Sequence, residues 1–204
     1  MRRTAVAAAV ALLLLATGCA DDTTPSDNGT PQASHVDVDT PVLRAQKADA
    51  GIADCAPAPH GAPVDGGMPD LTLACLGGGP AVRLGDLRGP LVVNLFAQWC
   101  EPCRTELPFY ERLHQDGRGK VDVLGIDYLD TQPDGALALA QTTGVTFPLL
   151  ADPDGLLRPE FRIRGLPGVV LVDADGRVTH VEFAVIRSYD QLTSMVREHL
   201  GVRL

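Results

Sequence analysis

The junction between an apolar run, Leu91-Val92-Val93-Asn94-Leu95-Phe96, and the segment Trp99-Cys100-Glu101-Pro102-Cys103 constrains this chain more than any other feature. A short, mostly apolar run of this kind suits a strand covered on both faces, in the middle of an α/β sheet. From Cys100 to His114 the pattern becomes helical, and Pro108 inside it predicts a kink because the ring removes one backbone hydrogen bond. A Cys-x-x-Cys at a helix start sets its first sulfur over unpaired N–H groups and the positive end of the helix dipole, which stabilise a thiolate. Cys100 is therefore expected as the nucleophile. Cys103, one turn on and more buried, is expected to resolve a mixed disulfide by attacking Cys100. A zinc site would need a second Cys-x-x-Cys or a Cys/His pair at ligand spacing, which the sequence lacks, so neither metal nor cofactor is expected.

Around this junction strands alternate with helices. Leu71–Ala74 and Ala81–Leu84 flank Gly77-Gly78-Gly79-Pro80 as a hairpin. Val121–Tyr128 reads as a strand, Asp134 as the cap of a helix that Gly144 ends, and Phe147–Ala151 as another strand. A short helix near Leu156–Phe161 precedes two strands, Val169–Val172 and Arg177–Ala184, joined at Asp173-Ala174-Asp175-Gly176. That turn opens like a calcium loop but lacks the downstream glutamate, and a hairpin turn is the better reading. Ser188 and Gln191 form a capping box for a last helix with Leu192, Met195, Val196 and Leu200 on one face. The expected class is α/β, a mixed central sheet flanked by helices, with an N-terminal β-hairpin.

The N-terminus predicts export. Met1-Arg2-Arg3 is a positive start, Ala5–Ala16 is apolar but short for a bilayer span, and Leu15-Ala16-Thr17-Gly18-Cys19 resembles a bacterial lipobox, with lipid on Cys19 after cleavage. An incidental Cys19 in a simple secretory signal is the alternative, and both place the mature chain outside the cytoplasm. Residues 19–50 are poor in large apolar side chains and read as a flexible tether, followed by one domain over 51–204 whose core begins near residue 64. Loss of Met1–Gly18 removes Arg2 and Arg3 and no acid, so the net charge goes from −9 to −11. This acidity, without basic clusters, argues against nucleic acid as a partner.

Five cysteines divide into Cys19, the Cys100/Cys103 pair, and Cys55 with Cys75. The last two are expected to form a structural disulfide in an oxidising compartment, worth roughly 3 kcal/mol on the chain-entropy model. A second redox pair or a metal site is the weaker alternative. The five histidines, His35, His60, His114, His180 and His199, are scattered and need no ligand role.

The stretch from Asn94 to Pro108, together with Pro69-Asp70-Leu71, Leu84-Gly85-Asp86-Leu87-Arg88-Gly89 and Gly165-Leu166-Pro167, resembles the TlpA/ResA family of extracytoplasmic thioredoxin-like proteins over about two-thirds of the chain. The resemblance implies a thioredoxin-like fold in which Val121–Ala151 is an αβ insertion. By position Pro167 resembles the cis-proline of such folds, an ordinary trans turn being the plainer reading, and Leu166 would offer its backbone to a substrate peptide. Trp99 would shield Cys100 and help to dock a partner. Asn94 stands where thioredoxin has a buried acid, and Glu106, where the ResA-like pattern has a glutamate, would take the proton of the resolving thiol. The alternative is a solvated glutamate on the helix face.

The activity so implied is thiol-disulfide exchange, with reduction of disulfides in exported proteins, as in cytochrome c maturation, at the expense of a membrane electron donor. An oxidant that forms disulfides in exported proteins is the runner-up. A thiol peroxidase would want Ser or Thr where Ala97 stands, and a copper metallochaperone of this fold would use a three-residue spacing between its cysteines.

Overall fold

The computed structural model describes residues 36–55 and 62–204. Cys19, the export signal and the first part of the expected tether lie outside the described residues. Among the described residues, seven strands form one mixed sheet in the order β2-β1-β5-β4-β3-β6-β7: β1 (Thr72–Cys75), β2 (Val82–Arg83), β3 (Leu91–Phe96), β4 (Asp122–Tyr128), β5 (Leu149–Asp152), β6 (Gly168–Val172) and β7 (Val178–Glu182). β3, β4 and β5 are mutually parallel, while β1 and β2 on one side and β6 and β7 on the other pair antiparallel. The α/β class, the mixed sheet and the N-terminal hairpin read from the sequence are those observed.

β3 sits between β4 and β6, and all six of its residues are buried. Side chains alternate across the sheet. Val92 and Phe96 join the core beneath α2 (Glu101–Asp116), α3 (Pro133–Thr143) and α5 (Tyr189–Leu200), whereas Leu91, Val93 and Leu95 join a second core with Leu84, Leu87 and Leu157. Leu157 opens the short α4 (Leu157–Phe161), and Leu84 starts a single 3₁₀ turn.

Several boundaries differ from expectation for local reasons. α3 starts at Pro133, not at a capping Asp134, because proline suits the first helical position and the Gln132 N–H is taken by Asp130. Ser188 accepts from Gln191 N–H, but the Gln191 amide oxygen reaches back to Arg187 N–H, one residue before the cap. Asp173 Oδ1 accepts the N–H groups of Asp175 and Arg177 and so closes the β6–β7 turn.

The larger correction concerns the tether. Residues 41–49 form a helix, α1 (Pro41–Asp49), capped by the Thr40 hydroxyl and packed against α3. Its single inward leucine, Leu43, and the stem of Lys47 one turn later are buried, and Gln46 donates to Asp134 O. Composition hid this element because one leucine and an aliphatic lysine stem supply the apolar face. Gly77 explains the fit: with φ 73° its turn lies so close to α1 that a Cβ would fall 2.8 Å from that of Lys47.

Candidate active site

The central strand delivers its chain to the end of the sheet, where Ala97 C=O accepts Cys100 N–H at 3.1 Å and α2 begins. Cys100 is the N-cap of α2, with Cys103 N–H 3.3 Å from its sulfur. The helix thus starts one residue later than the sequence suggests, with Cys100 at its mouth. Cys100 and Cys103 are joined as a disulfide with Cα atoms 5.3 Å apart, and both are buried. A thiolate freed at Cys100 would meet an N–H donor and the positive end of a 16-residue helix. Pro108 lies on the exposed side of α2, where water can serve the Arg104 carbonyl that loses its helical donor, and the helix runs on to Asp116.

Three residues after Cys103, Glu106 is 1 % exposed. Its Oε1 accepts the N–H of Ile186, from the segment between β7 and α5, and its Oε2 has no hydrogen-bond partner among the described residues. Burial raises its pKa to about 7, against the lowering effect of the Ile186 bond. This is a buried carboxyl, not a solvated one. Tyr110, one turn further, is buried next to it, with the buried Asn94 of β3 near the Tyr110 hydroxyl, and that hydroxyl is held above its ordinary range by burial first and then by the Glu106 charge.

Trp99 is 53 % exposed, and its indole N–H donates to Leu129 O at 3.2 Å. The Leu166–Pro167 bond is cis, as is Gly89–Pro90. Since Leu95 pairs with Gly168, Pro167 lies at the same end of β3 from which the chain enters Cys100. Leu166 is half-buried and packs against both cores. Cys55 and Cys75 form a second disulfide at the far side of the sheet, on β1, with Lys47 Nζ 3.3 Å from the Cys75 sulfur. The described residues contain no group of three or more His, Cys, Asp or Glu able to hold a metal ion.

Two residues at this end of the sheet escaped the sequence reading. Asp127 and Asp130, at and just beyond the end of β4, are both buried. The available signal was an acid inside an otherwise apolar strand.

Residues 64–181 match the family model described as the AhpC/TSA family. The chain is 36 % identical over 103 residues to the thiol:disulfide interchange protein CycY of Rhizobium leguminosarum, covering 50 % of this chain and 54 % of that protein. It is 29 % identical over 115 residues to the thiol-disulfide oxidoreductase ResA of Geobacillus kaustophilus, covering 55 % of this chain and 65 % of that one. These matches therefore span less than two-thirds of either relative. Among solved structures, DsbF of Mycobacterium tuberculosis superposes with a TM-score of 0.56 at 27 % identity, covering 63 % of this chain and 94 % of that one. The fold is thioredoxin-like.

Proposed function

As this chain belongs to the AhpC/TSA family, we propose that it is an extracytoplasmic thiol-disulfide oxidoreductase that reduces disulfides in exported proteins. The observation that carries this reading is the redox pair itself: a disulfide at the mouth of a helix, with a buried, near-neutral carboxyl one turn behind the resolving sulfur. The names of its relatives, interchange proteins and oxidoreductases, support the same chemistry.

The reaction starts from the reduced dithiol. Cys100 thiolate attacks one sulfur of a substrate disulfide, the substrate S–S bond breaks, and its leaving sulfur departs as a thiolate that takes a proton from water. Glu106 carboxylate then accepts the Cys103 proton, and the Cys103 thiolate attacks the Cys100 sulfur of the mixed disulfide, expelling the second substrate sulfur as a thiolate that takes a proton from water. Two electrons have passed to the substrate, and the protein is left in the disulfide state seen here. With a pKa of about 7, Glu106 can take that proton and return it when a membrane dithiol donor re-reduces the pair. Glu106 acts as proton acceptor in its carboxylate form, which a pKa of about 7 leaves well populated at neutral pH. Trp99 and Leu166 flank the pair as the docking surface.

Within the family, peroxide reduction is disfavoured by Ala97, fully buried and without a hydroxyl where a peroxidatic cysteine would need one. The setting we propose is the outer face of the cytoplasmic membrane, with lipid on Cys19 as anchor. No helix among the described residues is long and apolar enough to cross a membrane. The testing experiment combines the reduction potential of the Cys100/Cys103 couple with trapping. Cys103→Ser is expected to accumulate mixed disulfides with exported proteins through Cys100, and Cys100→Ser to accumulate none. Equal trapping by both variants overturns the roles, and a potential as high as that of a dedicated disulfide donor overturns the direction in favour of an oxidant.

A further inference from the structure

The end of β4 and the loop that follows it carry two carboxyls that the thiol chemistry does not use. Asp127 stands on β4 opposite Phe96 in parallel register. Its strand neighbours Leu124, Ile126 and Tyr128 belong to the far core while Val123 shares a core with Cys100 and Cys103, so Asp127 projects to the redox side of the sheet. Asp127 is 1 % exposed and Asp130 3 %.

Asp130 is engaged as an acceptor on both oxygens. Oδ2 takes the N–H of Gln98 at 2.7 Å, and Oδ1 takes the N–H of Gln132 at 2.9 Å. Asp127 Oδ1 receives no hydrogen bond from a described residue. With a second buried carboxyl close by in low dielectric and no N–H at its Oδ1, Asp127 favours its protonated form. In keeping with this, burial, the Asp130 charge and a hydrogen bond to Asp130 hold Asp127 well above the ordinary carboxylate range. Leu129, between the two acids, adopts φ 51° and offers its carbonyl to the Trp99 indole. Gln98 and Trp99, the two residues directly before Cys100, are thus each bonded to the β4–α3 loop.

We propose that Asp127 and Asp130 are positioning residues for the redox loop: the Asp127 carboxyl donates to Asp130, and Asp130 grips the Gln98 amide and fixes the path of the chain into Cys100. The inference rests on the redox reading of Cys100 and Cys103 and deepens it. Holding the loop in its disulfide geometry raises the effective concentration of the Cys100 sulfur opposite Cys103, which favours the disulfide.

The test is the equilibrium of the purified protein with glutathione, read together with Trp99 fluorescence anisotropy and hydrogen exchange at the Gln98 amide. Asp130→Asn keeps the size but offers one acceptor where two N–H groups converge. Its equilibrium is expected to move about tenfold toward the dithiol, about 30 mV, with lower Trp99 anisotropy. Asp127→Asn keeps a donor toward Asp130 and is expected to stay within about twofold of the unsubstituted protein, whereas Asp127→Leu moves about as far as Asp130→Asn. An unmoved equilibrium in Asp130→Asn, or equal shifts in Asp127→Asn and Asp127→Leu, overturns the proposal. Should Asp127→Leu not fold, Gln98 amide exchange in the unsubstituted protein decides: slow exchange supports the grip, and exchange at the rate of a free loop overturns it. Failure of the redox reading would look different, as absent exchange with protein disulfides while the glutathione equilibrium and the amide still report on the loop.

Discussion

A carboxyl that holds its proton to about pH 7 ties the acidity of Glu106 to folding. Its folded pKa lies above the unfolded value of 4.5, so its contribution is fully present below pH 4.5 and is lost as pH rises through 7. Linkage puts the size of that loss at about 3 kcal/mol. Asp127 and Asp152 have raised pKa values too and tilt stability the same way, so the informative quantity is a difference. Glu106→Gln is expected to remove this slope between pH 4.5 and 7, measured by denaturant unfolding across that range, because the amide does not titrate. The same substitution is expected to slow resolution of the mixed disulfide by about 10²-fold while leaving the first attack by Cys100 nearly unchanged, as separated by stopped-flow thiol exchange. An unchanged pH profile for Cys103 reactivity would count against proton transfer to Glu106.

Among the elements, those with strong internal signals were the legible ones. β3 announced itself by an unbroken apolar run, and α2 by the cysteines at its mouth; both stand where the pattern put them, to within one or two residues at their ends. α1 was not legible because its stability comes from the surface it covers, the glycine turn at Gly77 and the flank of α3, and a pattern of single residues does not show a partner. The Asp127/Asp130 pair was hidden for a related reason: its meaning lies in the amide of Gln98, 32 residues away in sequence. For α1 the expectation is direct. Leu43→Ala should lower the unfolding free energy by about 2–3 kcal/mol, the usual cost of emptying a buried leucine site. Joint replacement of Cys55 and Cys75 by serine should cost about 3 kcal/mol through the loop it opens, measured with the Cys100/Cys103 pair kept oxidised. A drop well below these values would mean that α1 and its disulfide are peripheral to the cooperative unit.

For the molecule as a whole, the parts divide by position in the sheet. The redox pair, Glu106 and the gripping acids collect at the end of the central strands, while α1 and the Cys55–Cys75 bond occupy the β1 side. Under the proposed lipid anchoring, Cys19→Ser is expected to shift the protein from the membrane fraction to the soluble extracytoplasmic fraction with its exchange rate on a soluble disulfide unchanged; membrane retention of that variant would count against the anchor. The second disulfide also acquires a mechanical meaning. Tension applied to the chain ahead of residue 36 would unwind α1 first, then arrive at Cys55 and be passed covalently to Cys75 on β1, next to the outermost strand of the sheet. The load path stops there, two strands short of β3, so a pull that peels the helix away leaves the loop into Cys100 unstretched.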